Sequence, residues 1–162
     1  MADTEVEVIF EACFIAGNYD TRADILVREG TSWKMVEVKS KVRDEPELVD
    51  DMAYTSLVMQ KAGTTPSKVA ILLISKEYRL GMAVEDLFVE TDHTAEVFEK
   101  MKLFAGRMDE IEAATNLPEK PEPVLIWLCR KCPHFRDCTG KDVENHIFDL
   151  PWLKKEKFNS LR

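Results

Sequence analysis

The stretch from Asp24 to Lys39 constrains this chain most. It reads as two apolar, strand-length segments, Ala23 to Val27 and Lys34 to Val38, around a turn at Gly30. Charge sits at the ends of these segments. Asp24 lies at the start of the first, and Glu37 and Lys39 close the second. Residues two apart share a face of a strand, so Glu37 and Lys39 point the same way. Antiparallel pairing of the segments brings Asp24 towards that face. The expectation is two carboxylates and one ammonium around a single point. Hard oxygen ligands suit Mg²⁺ or Mn²⁺, and a cation beside a metal suits attack of water on a phosphodiester. The same alternation also describes a half-exposed strand with a solvated polar face. What favours a site is position, because open α/β sheets place their sites at strand ends.

The flanking sequence supplies the rest of a sheet. From Glu5 to Ile15, Val6, Val8, Phe10, Ala12 and Phe14 alternate with Glu5, Glu7, Ile9, Glu11 and Cys13. This predicts a strand that buries the first set. Gly17-Asn18 marks a turn. Pro46, with Asp44 and Glu45 before it, predicts a helix that runs to about Ala62 and stops at Gly63. Leu48, Met52, Thr55 and Met59 form its inner stripe, widened by Val49, Ala53 and Leu57. Val69 to Ser75 is a continuous apolar run, the pattern of a strand covered on both faces. The order is β-β-β-α-β with mixed pairing. Thr91 to about Ala114 reads as one long helix with Val97, Met101, Phe104, Met108 and Ile111 inward. Pro118 to Pro123 is a proline-rich connector. The fold class is α/β: a mixed sheet flanked by helices, with a C-terminal cysteine-containing lobe. Residues 1–117 form the core, and 118–162 carry connector, cysteine motif and tail within the same domain.

A chain of 162 residues suffices for one domain with a real core and is short for two. With 45% hydrophobic and 32% charged residues, its composition is that of a globular protein. No apolar run reaches membrane-spanning length, and the acidic N-terminus lacks a signal-peptide layout. A cytoplasmic protein without a membrane partner is expected. The net charge of −8 argues against a protein that coats nucleic acid through clustered Lys and Arg. It leaves room for a nuclease, whose metal ions offset acidity at the site. Lys34, Lys39, Lys41 and Arg43 form a candidate local patch, diluted by Glu29, Asp44 and Glu45.

The second strong pattern is Cys129-x-x-Cys132-Pro-x-x-x-x-Cys138. In a cytoplasmic protein such spacing points to a metal rather than to disulfides. Three thiolates need a fourth ligand to close a tetrahedral or cubane site, and Cys13 and His134 are the two candidates.

Three segments together resemble a known family: Tyr19-Asp-Thr-Arg-Ala-Asp24-Ile-Leu-Val27, Glu37-Val-Lys39-Ser-Lys41 and Asp51-Met-Ala-Tyr54. They are similar to the RecB-like branch of the PD-(D/E)XK nucleases, closest to a bacterial group with an additional C-terminal domain of unknown function. The resemblance runs from about Phe10 to the C-terminus. It implies a restriction-endonuclease-like core and metal-dependent hydrolysis of DNA phosphodiesters, of exonuclease type. It further implies that Asp24, Glu37 and the Val38 carbonyl hold Mg²⁺ or Mn²⁺. Lys39 would orient the attacking water and stabilise developing charge. RecB-like nucleases with an iron–sulfur cluster carry three cysteines at this spacing and a fourth far upstream. This implies a [4Fe–4S] cluster on Cys129, Cys132, Cys138 and Cys13, with zinc on the first three and His134 as the alternative.

The chain departs from the family at its front. There an opening helix brings the fourth cysteine and an extra Glu or His ligand, and nothing before Val6 reads as that helix. Glu11 is a candidate substitute. The family's Gln place is taken by Thr55, and Tyr54 keeps part of the helix's role. The chain is therefore expected to be a piece of a longer protein, with DNA and further domains as partners. Two other readings stay open: a catalytically inactive DNA-binding or scaffolding fragment, and a zinc-binding interaction module.

Overall fold

Two tight turns lay down the first three strands. Gly17 and Gly30 both have a φ of 63°, in the left-handed region that glycine enters freely. Each begins a two-residue loop, because Ala16 pairs with Tyr19 and Glu29 with Ser32. The product is an antiparallel meander of β1 (Val8–Ala16), β2 (Tyr19–Glu29) and β3 (Ser32–Lys39). The computed structural model describes residues 6–119 and 122–161. Glu5, at the expected start of β1, and residues 120 and 121 of the proline-rich connector lie outside the described residues.

Helix α1 (Pro46–Lys61) follows an extended Glu45, with the Pro46 ring in its first turn, where no N–H is required. It ends where Gly63 turns to a φ of 90°. The N–H groups of Gly63 and Thr64 donate to the carbonyls of Gln60 and Met59. The helix carries the chain back so that β4 (Lys68–Ile74) pairs parallel with β3, from Lys34↔Lys68 to Lys39↔Leu73. A short 3-10 turn, Val84–Leu87, leads into β5 (Phe88–Asp92), antiparallel to β4. The sheet is five-stranded and mixed, in the order β1-β2-β3-β4-β5, with helices packed on it. Strands β1 to β5 and the helices around them form one unit, Met1–Thr115.

The core lies between strands and helices. Ala23, Leu26, Met35, Val69 and Ile71 from the sheet meet Met52, Ala53, Val58 and Met59 of α1 and Val97 of α2 (Thr94–Ala105), all fully buried. Each large apolar side chain buried this way contributes roughly 1.5–3 kcal/mol. The expected stripe of Leu48, Met52, Thr55 and Met59 is inward throughout.

Two expectations need correction. The alternation in β1 does not hold along the strand. Val8 is 42% and Phe10 67% exposed, whereas Ile9, Ala12 and Ala16 pack on the core beside Phe14. The inward face changes parity at Glu11, whose φ is 54°. The long helix from Thr91 is also broken. Thr91 pairs with Ile71 in β5, and α2 (Thr94–Ala105) begins only after Asp92 accepts the Thr94 N–H at 2.9 Å. Gly106 ends α2, and α3 (Met108–Thr115) resumes beyond it. Glycine costs about 1 kcal/mol inside a helix relative to alanine, and the stripe follows the break: Met108 is buried and Ile111 is 49% exposed.

The second unit, Asn116–Arg162, has little regular structure. It contains 3-10 turns at Trp127–Lys131, Phe135–Asp137 and Ile147–Asp149 and the short helix α4 (Lys155–Ser160). An aromatic cluster holds it: Phe148 lies 5.2 Å from Phe158, 5.6 Å from Phe135 and 6.1 Å from Trp127, ring centre to ring centre. Gly140 lies under the Phe135 ring, where a Cβ would come within 2.6 Å of the ring. Among the described residues, no helix is long and apolar enough to cross a membrane.

Candidate active site

Asp24 sits where two ladders falter at once. On one side, β1 pairs with β2 at Phe10↔Ile25 and again at Ala12↔Ala23, skipping Glu11 and Asp24. On the other, β2 pairs with β3 from Glu29↔Ser32 only as far as Ile25↔Val36. The freed N–H of Val38 donates to Asp24 Oδ2 at 2.8 Å. A side-chain oxygen thus takes a bond on β3 just where the pairing with β2 has ended.

Glu37 follows Val36 on β3 and is buried, 8% exposed. Lys39 Nζ lies 2.8 Å from Glu37 Oε1 and 3.4 Å from Asp51 Oδ2, on the second turn of α1. At this end of β3, Lys39 thus meets Glu37 and Asp51, and the Asp24 carboxylate is tied to the main chain of Val38, between Glu37 and Lys39 in the strand. Burial raises the pKa of Glu37 above the usual carboxylate value, and the charges of Asp24 and Asp51 add to this, while the Lys39 bond opposes it. The hydrogen bond to Glu37 raises the pKa of Lys39 and keeps it an ammonium.

This donor set fits a small hard cation. Mg²⁺ is held in many sites by one or two carboxylates together with substrate oxygens. Asp24 and Glu37 supply two carboxylates, and the mutual repulsion felt at Glu37 is what a divalent cation would relieve. Among the described residues, no group of three or more His, Cys, Asp or Glu is gathered closely enough to hold a metal ion. Asp24, Glu37 and Asp51 therefore do not form such a group of three.

The neighbouring expectations resolve residue by residue. Glu11 forms an exposed ion pair with Arg22 at 2.6 Å and is occupied there. Thr55 is buried and bonds Thr21 at 3.0 Å, while the Tyr54 hydroxyl donates to the Asp20 carbonyl at 3.0 Å. Both tie α1 to β2 close to Asp24. The basic patch is largely neutralised: Lys34 pairs with Glu90 at 3.0 Å and Lys41 with Glu45 at 2.7 Å, leaving Arg43 exposed. The contact of Asp51 with Lys39 is what sequence reasoning missed. Its signal is an acid in the second turn of the helix that follows Glu-x-Lys.

The cysteines are all free thiols. Cys129 lies in the turn Trp127–Lys131, Cys132 caps it, and Cys138 follows the turn Phe135–Asp137. The Ile126 N–H donates to the Cys129 sulfur at 3.4 Å. Cys13 is exposed on β1, in the first unit. His134 is exposed beside Phe135.

No family model matches the chain. No curated protein matches it either. Among solved structures the chain is similar to the crystal structure of SSO0001, with 15% identity over 84% of this chain and a TM-score of 0.37. The match spans 62% of that protein's length.

Proposed function

We propose that this chain is a metal-dependent nuclease with a restriction-endonuclease-like core, hydrolysing DNA phosphodiesters in the manner of RecB-like exonucleases. The observation that carries the reading is the Lys39–Glu37 ion pair at the end of β3 with the Asp24 carboxylate bonded to the Val38 N–H between them in sequence. Asp24 and Glu37 would hold Mg²⁺ or Mn²⁺, with the Val38 carbonyl as a further oxygen donor. When bound, the cation would supply Lewis-acid polarisation of the scissile phosphate. Lys39 would then orient the incoming water and offset the negative charge that develops on the phosphoryl oxygens. Its raised pKa supports this role, since the side chain stays charged at neutral pH. The buried position of Glu37 supports a dry site in which such charges act strongly.

The test is cleavage of end-labelled linear DNA with Mn²⁺, against an EDTA control and the Glu37→Gln protein. The reading predicts Mn²⁺-dependent shortening by the wild-type chain and none by the variant. Equal cleavage by both proteins contradicts it.

The same reading assigns Cys129, Cys132 and Cys138, all in the second unit, to a metal, either an iron–sulfur cluster or zinc with His134. The support is that the second unit has one small aromatic cluster and little regular structure, and units of that size often need a metal to hold them. Anaerobic purification with iron, sulfide and zinc analysis separates the two. Visible charge-transfer absorbance with iron supports the cluster, stoichiometric zinc supports the alternative, and a metal-free folded protein contradicts both.

A further inference from the structure

Lys39 occupies an oxygen that the proposed cation needs. Its ammonium is 2.8 Å from Glu37 Oε1, so ion pair and cation compete for the same buried carboxylate. A divalent ion there also repels an ammonium a few ångströms away. Lys39 must therefore have somewhere else to go, and Asp51 Oδ2 is already 3.4 Å from Nζ. The two acids differ in setting: the Glu37 side chain is 11% exposed and that of Asp51 61%. Asp51 is not gathered with Asp24 and Glu37 into a ligand group. Its place is fixed all the same. Next to it Met52 and Ala53 are fully buried in the core, and Asp50 is paired with Lys100 at 2.8 Å.

We infer that Asp51 is a positioning residue that seats the Lys39 ammonium when a divalent cation takes Glu37. The pair would let one lysine serve two states. On Glu37 it neutralises a buried carboxylate. On Asp51 it leaves the oxygens of Glu37 open and stays close to the reacting phosphate. The inference rests on the nuclease reading of the same site.

The test is a double-mutant cycle on the full chain, with Mn²⁺ affinity read from the electron paramagnetic resonance signal of the free ion. The proteins are wild type, Asp51→Asn, Lys39→Met, the double variant and Glu37→Gln, each checked for an unchanged far-UV circular dichroism spectrum. An ion pair with an exposed partner has modest worth, so Asp51→Asn should weaken Mn²⁺ binding about threefold in the wild-type background. In the Lys39→Met background most of that loss should vanish, because no ammonium needs a seat. An equal loss in both backgrounds means that Asp51 acts on the cation itself and overturns the inference while sparing the site. Mn²⁺ binding that is absent, or indifferent to Glu37→Gln, overturns the nuclease reading and the inference with it.

Discussion

The Asp24 carboxylate accepts the main-chain N–H of Val38 at 2.8 Å, bridging fourteen residues of sequence at the open end of the β2–β3 hairpin. One side chain thereby does two things. It satisfies a backbone donor that strand pairing has released, and it holds its negative charge near enough to raise the pKa of Glu37. The site at the end of β3 depends on this bond being made by a side chain and not by β2 itself.

Substituting Asp24 should separate those two roles. Asp24→Asn keeps an acceptor for Val38 and should retain nearly wild-type stability. Asp24→Ala removes it and should cost about 0.5–1.5 kcal/mol, the usual net worth of one hydrogen bond. Both should abolish Mn²⁺-dependent cleavage. Urea unfolding read beside the cleavage assay checks the pair, and equal stability of the two variants would contradict the structural role.

Lys39→Ala should leave the fold intact and eliminate cleavage. The lysine is partly exposed and packs in no core layer, whereas its charge is central to the proposed chemistry. Circular dichroism and the cleavage assay decide this, and a fully active Lys39→Ala protein removes that residue from the mechanism.

Glu37 links pH to stability and to metal in opposite senses. Burial raises its folded-state pKa. Its contribution to stability is therefore fully present below the unfolded value and is lost as pH rises through the raised one. Metal binding needs the ionised form, so it should be lost as pH falls through the same raised value. Mn²⁺ affinity measured against pH should decline on the acid side at a pH above the ordinary glutamate range. A decline at the ordinary value refutes the assigned environment.

His93 gives a second pH dependence. Its ring bonds Asp44 at 2.7 Å through Nε2 and Glu96 at 2.9 Å through Nδ1, clamping the segment before α1 to the start of α2. Burial works against the charged ring, but the bonds to the two carboxylates outweigh it and the pKa is raised. A raised histidine stabilises fully below its unfolded value and loses that contribution as pH rises through the folded one. The melting-temperature gap between wild type and His93→Gln should be widest near pH 5 and narrow towards about pH 9. A gap constant over that range contradicts the clamp.

Gly140→Ala should disturb the second unit. The added methyl would meet the Phe135 ring at 2.6 Å, and overpacking of this kind costs roughly 1–3 kcal/mol. Near-UV circular dichroism of the aromatic cluster should weaken, while the far-UV signal of the sheet persists. An unchanged aromatic spectrum contradicts the packing described.

The strand and helix plan was legible because the physics is local. Gly17 and Gly30 mark turns by their conformational freedom, Pro46 and Gly63 bracket α1, and the unbroken apolar run at Val69 identifies a strand covered on both sides. The exact face of β1 was not legible. It depends on Glu11 adopting a positive φ, which no side-chain pattern announces. The break at Gly106 was missed because Val97, Met101, Phe104 and Met108 keep a helical spacing across it. The nearness of Glu37 to Lys39 followed from strand parity. The meeting of Asp24 with Val38 required the two ladders to fail at one residue, and Asp51 required the docking of α1, both products of tertiary packing.

In the proposed site Asp24 and Glu37 grip one divalent cation with Lys39 beside it. A crystal soaked in Mn²⁺ and measured for anomalous scattering tests this most directly. One strong peak is expected, with carboxylate oxygens of both residues at about 2.2 Å. A fully soaked crystal with no peak between them, or with manganese bound only elsewhere, contradicts it.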